Sequence, residues 1–250
     1  EGTTVSRASV HNVSIVKELQ LGIGDTIQVY KANMIIPQIA ENLTRSGKLE
    51  IPHICPVCGQ EARIIQENEV ESLYCMNSDC VAKKIKAFTL FVSRDAMNID
   101  GLSEATLEKF IAKGFIHDFG DIFEIAKYRD EIVGMDGFGE KSFDNLMVSI
   151  EKAKETVLAK VLYSLGIANI GLSNAKVICR HFEDDLAQIR NAKEEEVGAI
   201  DGIGPVIARS LTKYFEDPDN NRRLDHLLRY LHINKEEISK NQTLAGMNFV

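Results

Sequence analysis

The second half of the chain carries the stretch Ile200-Asp201-Gly202-Ile203-Gly204, and three related stretches precede it. Each contains a turn residue, Gly or Asn, followed by a large apolar residue and then by Gly or Ser. The four turn residues lie 36, 32 and 33 positions apart, and a period of this length is typical of an internal structural repeat. The other three copies are Ile99-Asp100-Gly101-Leu102-Ser103, Met135-Asp136-Gly137-Phe138-Gly139 and Ile167-Ala168-Asn169-Ile170-Gly171.

Each copy is followed by two apolar residues, six and nine positions after its turn residue. Residues three apart lie on one face of an α-helix, so a helix with a buried face is predicted to follow each turn. Gly and Asn tolerate positive φ angles, which suits a tight turn. The unit is therefore predicted to be a helix, a tight hairpin and a second helix. The apolar pairs are Leu107 and Phe110, Phe143 and Leu146, Ala175 and Ile178, and Ala208 and Leu211.

The small third residue of each turn lets the backbone approach a ligand closely, just where the next helix exposes its free N–H groups. Such a position attracts anions, and repeated anion sites suit a phosphodiester backbone. The pattern resembles the helix-hairpin-helix motif of sequence-independent DNA-binding proteins. The alternative is a set of ordinary helical hairpins ended by glycines. The predicted DNA-binding residues of the repeats are Gly101, Ser103, Gly137, Gly139, Lys141, Gly171, Ser173, Gly202 and Gly204.

Four of the five cysteines form two close pairs, Cys55 with Cys58 and Cys75 with Cys80. This spacing predicts a tetrahedral four-thiolate zinc site, with a small β-hairpin in the segment 62–74. A segment this short cannot build its own core, so the metal is expected to supply the folding energy, as a structural site. Two disulfides or unrelated buried thiols are the alternatives. The fifth cysteine, Cys179, is interpreted as a packed core thiol.

The first 52 residues show a pattern that differs from both the repeats and the cysteine segment. Residues 3–12, 26–31 and 34–39 are predicted to be short strands, with a turn at 22–25. Short strands joined by turns indicate a small barrel or part of one. Arg7 lies on the first of these strands, where it either contacts phosphate or belongs to a solvated face.

Charge and hydropathy restrict the possible functions less strongly than the motifs do. The net charge of −8 argues against nonspecific DNA binding by the whole surface, although local basic runs such as 83–86 and 222–223 remain. No apolar run of 18 residues exists, so no membrane span is expected. Residue 1 is Glu and no secretory signal precedes the first motif, so we expect the chain to be part of a longer protein.

The order of these parts resembles the C-terminal half of a bacterial NAD-dependent DNA ligase. The opening Gly2-Thr3-Thr4-Val5-Ser6-Arg7-Ala8, the four-cysteine module and the four repeats carry the resemblance, and the tail 244–250 resembles the start of a BRCT domain. One departure is Ala32-Asn33-Met34, where the family usually has Ala-Gly-Asp. The resemblance implies a multidomain α+β chain. Its expected parts are the C-terminal portion of an oligonucleotide-binding (OB) domain at 1–52, a zinc finger at 53–80, a helix-hairpin-helix domain at 81–240 and the start of BRCT at 241–250.

The same resemblance implies a function. The family's nucleophile is the lysine of a Lys-x-Asp-Gly motif, and the nearest stretches here, 98–101 and 134–137, begin with Asn and Gly. No catalytic residue is therefore assigned, and the chain is expected to hold only zinc, while NAD and Mg²⁺ serve the complete enzyme. Its expected partners are nicked double-stranded DNA and the adenylation domain of the same polypeptide. A monomer in the bacterial cytoplasm, without membrane contact, is expected.

Two other functions stay open at this point. Tandem helix-hairpin-helix units also occur in non-catalytic modules of repair and recombination proteins. The repeats could instead be plain helical packing in a protein–protein scaffold. The zinc module ahead of the repeats, together with the strand that contains Val5, Ser6 and Arg7, favours the ligase.

Overall fold

The computed structural model describes residues 6–33, 35–67 and 69–235. The chain forms two compact units, Glu1–Lys83 and Lys84–Val250. Three sequence predictions fall on residues outside the described ranges: the start of the first strand, Met34 in the altered turn, and the BRCT-like tail. The boundaries after residues 52, 80 and 240 stay predictions.

The first unit contains one helix and two antiparallel hairpins. The strands predicted at 26–31 and 34–39 are confirmed as β1 and β2, and the hairpin predicted between the cysteine pairs is confirmed as β3 and β4. Ala62 pairs with Cys75 at the open end of the second hairpin, so the strands carry the chain from one cysteine pair to the other. The elements are α1 (Val13–Glu18), β1 (Ile27–Ala32), β2 (Ile36–Asn42), β3 (Ala62–Glu67) and β4 (Val70–Cys75).

The predicted first strand is wrong over its described part. Residues 6–8 have no regular structure, and Ser9 makes only an isolated bridge to Gln38. His11 has a φ of +55°, and the Oδ1 of Asn12 accepts the N–H of Ile15 at 3.0 Å, which starts α1. Asn is a strong helix N-cap, and this local bond explains why a β-branched run gives way to a helix.

Asn42 holds the first unit together at the end of β2. Its side chain is buried, and its amide donates to the carbonyls of Leu19 and Gln20 and to Oδ2 of Asp25. These bonds tie the end of α1 and the predicted turn, where Gly24 has a φ of +89°, to the sheet. The sheet has two strands within the described residues, so a closed barrel is not observed there.

The second unit is almost entirely helical around one apolar core. All eight apolar residues predicted to follow the turns are buried, none being more than 4% exposed. Cys179 is 2% exposed, as predicted for a core thiol. The helices are α2 (Val81–Val92), α3 (Glu104–Ala112), a 3₁₀ helix (Phe119–Tyr128), α4 (Arg129–Val133), α5 (Glu140–Ala153), α6 (Leu158–Ser164), α7 (Leu172–His181), α8 (Leu186–Asn191), α9 (Glu194–Gly198), α10 (Pro205–Glu216) and α11 (Pro218–Leu228).

Two short strands complete this unit. β5 (Glu155–Val157) pairs in parallel with β6 (His232–Asn234) and joins the end of α5 to the segment after α11. Among the described residues, no helix combines the length and the hydropathy needed to cross a bilayer.

Candidate nucleic-acid interface and metal centre

The four repeated turns share one backbone conformation. Their first residues have positive φ angles of +93°, +81°, +64° and +80° at Gly101, Gly137, Asn169 and Gly202, respectively. The next residue points into the core, because Leu102, Ile170 and Ile203 are each 5% exposed and Phe138 packs partly buried against the same core. The predicted roles of the first two positions are therefore confirmed in geometry.

A backbone hydrogen bond closes three of the turns. The N–H of Phe138 donates to the carbonyl of Met135 at 3.0 Å, and the matching bonds in the third and fourth turns measure 3.1 and 3.0 Å. The chain then enters the next helix at once, so the first N–H groups of that helix lie beside the turn. Such groups have no partner within their own helix.

The third residue of each turn gives the most information about a ligand. Gly139, Gly171 and Gly204 cap α5, α7 and α10 with φ angles of −147°, −80° and −85°, which any residue adopts. A Cβ atom at any of the three would have no neighbour within 4 Å. Neither backbone conformation nor internal packing requires glycine there, and none of the three helix starts has a side-chain cap. The three sites are open to a ligand from outside.

The first turn differs. Ser103 replaces glycine, and its Oγ accepts the N–H of Thr106 at 3.2 Å, which satisfies one free donor of α3. Glu104 follows and pairs with Lys86 at 3.1 Å. This helix start therefore offers fewer free donors, and a carboxylate stands beside them.

The predicted cations differ in their availability. Lys141 and Arg7 are exposed and make no ion pair with another described residue. Arg222 and Arg223 both pair with Asp219, at 2.6 and 2.7 Å, so one carboxylate offsets part of the charge of that basic pair. Ser173 is exposed in the first turn of α7, beside the third hairpin.

The turns are arranged in two pairs. Lys109 of α3 donates to the carbonyl of Asp136 in the second turn at 3.1 Å. A Cβ on Gly101 would lie 3.6 Å from Leu146 of α5, so the first turn rests on the helix of the second. In the other pair, Asn169 of the third turn donates to Ser210 of α10 at 3.4 Å.

A cleft of about 380 Å³ opens between the first two turns. Both turn glycines border it, and polar side chains from α3 and α5 face it. Sequence reasoning missed these side chains, although Thr106 and Ser142 occupy the fifth position after their turn residues and Asn145 the eighth. The lining residues are Asp100, Gly101, Thr106, Gly137, Phe138, Ser142, Asn145 and Leu146.

The four predicted cysteines are brought together. All four Sγ atoms lie within 4.8 Å of one another, with Cys55 and Cys80 4.0 Å apart and Cys58 and Cys75 3.5 Å apart. A disulfide needs about 2.05 Å, so the disulfide alternative does not describe this geometry. A tetrahedral ion with bonds of about 2.3 Å separates its sulfur ligands by about 3.8 Å, and the cluster fits such an ion.

The backbone around the first pair stabilises thiolate. Gly59 has a φ of +68°, which turns the chain back after Cys58. The N–H of Gln60 lowers the pKa of Cys58 to about 6, whereas burial raises the pKa of Cys75 to about 11. N–H groups of Cys58 and Val57 also lower the pKa of Cys55. A cation bound among the four sulfurs would favour ionisation of all of them.

A second group of potential ligands lies in the helical unit, at Asp118, Asp121 and His226. Its atoms are already used to hold structure. Asp118 caps the 3₁₀ helix by accepting from Gly120 at 3.0 Å and lies 2.8 Å from Nδ1 of His226, while Asp121 accepts from the backbone of His117 at 2.6 Å. We assign this group a structural role.

Comparison with known proteins finds a match within each unit. Residues 1–50 match the family model of the NAD-dependent DNA ligase OB-fold domain, and residues 160–224 match that of the helix-hairpin-helix motif, which includes the third and fourth turns. DNA ligase of Lachnoclostridium phytofermentans is 57% identical over the whole chain, and DNA ligase of Ruminiclostridium cellulolyticum is 55% identical. The chain spans 38% of the length of each of these relatives. The resemblance to NAD-dependent DNA ligases is confirmed.

Proposed function

We propose that this chain, which is similar to DNA ligases over its whole length, is the part of an NAD-dependent DNA ligase that grips nicked duplex DNA. It would hold the phosphate backbone while the adenylation domain of the same polypeptide carries out the chemistry. Contacts to phosphate fix the position of the protein on DNA without reading the sequence, which suits an enzyme that must act on nicks at any sequence. We place this activity in the bacterial cytoplasm, with the protein as a monomer.

One observation carries the proposal. Gly139, Gly171 and Gly204 leave space at their Cβ positions that the protein does not fill, directly beside uncapped helix starts. Glycine in an unstrained, unfilled position serves the approach of something outside the chain. Free N–H groups at helix starts bind anions, and a phosphate is the anion that duplex DNA presents. All four repeats are proposed as helix-hairpin-helix units, with the first binding more weakly because Ser103 occupies one donor.

We further propose that the four-cysteine cluster holds one structural zinc ion. Four thiolate ligands leave no open coordination position for a water molecule, so the ion would stabilise the fold and take no part in ligation. NAD and Mg²⁺ are assigned to the complete enzyme. A non-catalytic repair or recombination module is the other reading, and it is not favoured because the matched relatives are DNA ligases over the whole chain.

Replacing Gly171 or Gly204 by Ala tests whether the third and fourth turns bind DNA. The observed φ angles and the free space accept a methyl group, so the folded state should keep nearly its wild-type stability. The methyl group would stand between the backbone and a phosphate. Fluorescence anisotropy with a labelled nicked duplex should therefore show an affinity loss of about 10-fold or more in the double variant, which corresponds to about 1.4 kcal/mol.

The matched control is Gly198→Ala, at the end of α9. A Cβ there makes an ordinary contact of 3.7 Å with Ala208, and the residue lies outside the turns. This variant should bind DNA like the wild type. If the Gly171 and Gly204 variants keep wild-type melting temperatures and wild-type affinity, the glycines have no role in DNA binding and the proposal fails.

A further inference from the structure

A cavity of about 590 Å³ lies in the helical unit where α5 ends and β5 begins. Its volume falls within the range of about 300–1,000 Å³ that is usual for small-ligand sites. Its lining comes from the segment before the first turn, the C-terminal half of α5, β5, the start of α6 and the end of β6. The three glycines that begin α5, α7 and α10 do not border it, so it is separate from the proposed phosphate contacts of the turns.

Two hydroxyl groups of the lining are buried and keep free hydrogen-bonding capacity. Ser149 is 9% exposed and Thr156 is 7% exposed. The Oγ of Ser149 accepts the N–H of Asp100 at 2.8 Å, but its own proton has no acceptor among the described residues. The side chain of Thr156 makes no hydrogen bond with any other described residue. Buried polar groups are normally paired, so both hydroxyls are available to a molecule in the cavity.

Two cations border the same cavity. Lys152 lies in the last turn of α5 and Lys160 lies in α6, and neither forms an ion pair with a described residue. Lys154, which lies between them in sequence but outside the lining, pairs instead with Glu151 at 2.5 Å. Two ammonium groups and two hydroxyls match the oxygens of a phosphate group, which accepts several charge-assisted hydrogen bonds.

The rest of the lining suits a sugar and an apolar ring. Asp100 and Glu155 add two carboxylates, and one oxygen of Glu155 accepts the amide of Asn234 at 2.9 Å. Carboxylates repel a simple polyanion, but they accept hydrogen bonds from ribose hydroxyls. Met97 and Val157 supply apolar surface. A nucleoside monophosphate combines a phosphate, a diol and a ring in one molecule of this size.

We propose that this cavity binds a free ribonucleoside monophosphate. Lys152, Lys160 and Thr156 hold its phosphate, while the two carboxylates accept from its ribose. Duplex DNA keeps its bases stacked and paired, and its phosphates are diesters within the chain, so it does not offer this combination of groups. The inference does not depend on the proposed DNA-binding function.

The test is calorimetric titration of the complete 250-residue chain with AMP as the probe. Wild-type protein should bind one AMP, and adenosine or inorganic phosphate should each bind at least about 10-fold more weakly, because each lacks part of the matched set. Lys160→Gln should weaken AMP binding by about 10-fold, through the loss of a charge-assisted bond. Lys154→Gln is the matched control and should bind AMP like the wild type.

Thr156→Val gives the sharpest result. Valine has nearly the same shape, and the hydroxyl has no partner among the described residues to lose, so the melting temperature should stay at or above that of the wild type. AMP affinity should nevertheless fall by about 10-fold, since the phosphate loses a donor. Fluorescence anisotropy with a nicked duplex should give wild-type affinity for this variant.

The outcomes keep this inference apart from DNA binding. Absence of saturable AMP binding at millimolar concentration would overturn it, whether or not the protein binds DNA. Wild-type AMP affinity in folded Thr156→Val protein would do the same. A loss of duplex affinity in Thr156→Val would show that the cavity serves DNA instead of a free nucleotide, and the inference would again be wrong.

Discussion

A single carboxylate joins distant parts of the helical unit. Glu124 of the 3₁₀ helix pairs with Lys127 at 2.7 Å and accepts a short hydrogen bond from the hydroxyl of Tyr230, more than 100 residues away. His226 of α11 stands close by, with Nε2 3.9 Å from Oε1 of Glu124. The bonds from Lys127 and Tyr230 lower the pKa of Glu124 to about 2.

The position of the His226 ring requires glycine at Gly120. A Cβ there would lie 2.6 Å from the ring of His226, too close for any side chain to fit without moving the ring. His226 itself bonds Asp118, and Tyr230 stacks on Phe123 with ring centroids 5.7 Å apart. The network thus fixes the segment that contains α11 against the 3₁₀ helix.

The lowered pKa of Glu124 predicts a dependence of stability on pH. A carboxyl group whose pKa falls on folding stabilises the folded state fully above its unfolded pKa of about 4.5, and this contribution is lost as the pH falls towards about 2. We expect the free energy of unfolding of wild-type protein to drop across this range. Glu124→Gln should be less stable than wild type near neutral pH and should show a smaller drop.

Urea unfolding at several pH values measures this difference. Glu131→Gln is the control, because Glu131 is an exposed helical glutamate without an ion pair to a described residue. Its pH profile should match that of the wild type. Equal profiles for Glu124→Gln and wild type would show that the Lys127 and Tyr230 bonds contribute nothing measurable.

At the scale of the element, the β3–β4 hairpin shows what a metal would stabilise. Its exposed apolar side chains include Ile64, Val70, Leu73 and Tyr74, so the hairpin has little core of its own. Besides the cysteine cluster, it is fastened by the N–H of Glu71, which donates to Ser14 at 2.8 Å, and by a bond between Glu71 and Lys17. Exposed pairs of this kind contribute little to stability.

Loss of one sulfur ligand should therefore unfold this hairpin selectively. Cys58→Ser should lose the single bound zinc ion, and amide exchange in residues 62–75 should become fast while α3, α5, α7 and α10 stay protected. Cys179→Ala, which removes a thiol outside the cluster, should keep one zinc ion per chain. Metal analysis and hydrogen exchange measure both effects. A zinc-free Cys58→Ser protein with a protected hairpin would contradict the proposal.

The elements also show how far sequence reasoning reaches. The turns were predictable because Gly and Asn, which tolerate positive φ angles, recur at a nearly fixed spacing. The buried helix faces were predictable because apolar residues three positions apart lie on one face of a helix. The helix α1 was not, since the cap by Asn12 overrode a strand-like run. The residues that join the paired turns could not be predicted, because the contacts are single long-range bonds such as that of Lys109 to Asp136.

At the scale of the whole molecule, the net charge of −8 opposes a role in binding DNA only if charge is the sole source of affinity. The proposed interface offers backbone N–H groups at uncapped helix starts, and these groups carry no formal charge. Several cations are also paired with carboxylates, among them Arg222 and Arg223. We therefore expect the affinity of this chain for DNA to come from well-placed uncharged hydrogen-bond donors more than from the attraction of net charge.

Two of the three Asp-Gly pairs in the chain, those compared above with the ligase nucleophile motif, have a structural explanation. Asp100-Gly101 and Asp136-Gly137 form the first and second turns, where both glycines have positive φ angles. The residues in the place of the lysine are Asn98, at a φ of +52°, and Gly134, which ends α4. These pairs form the hairpins, and neither has a lysine at the first position of the motif.

The chain should consequently bind nicked DNA without forming a covalent AMP adduct. Incubation with NAD and Mg²⁺, followed by mass spectrometry of the intact protein, should show the unmodified mass under conditions in which anisotropy shows DNA binding. Gly134→Lys is an informative companion variant, because it completes a Lys-x-Asp-Gly sequence at an exposed helix end with an ordinary φ of −76°. It should also stay unmodified, since a nucleophilic lysine needs a nucleotide site around it, which a four-residue motif cannot supply. An adduct on the wild-type chain would overturn the assignment of catalysis to the adenylation domain.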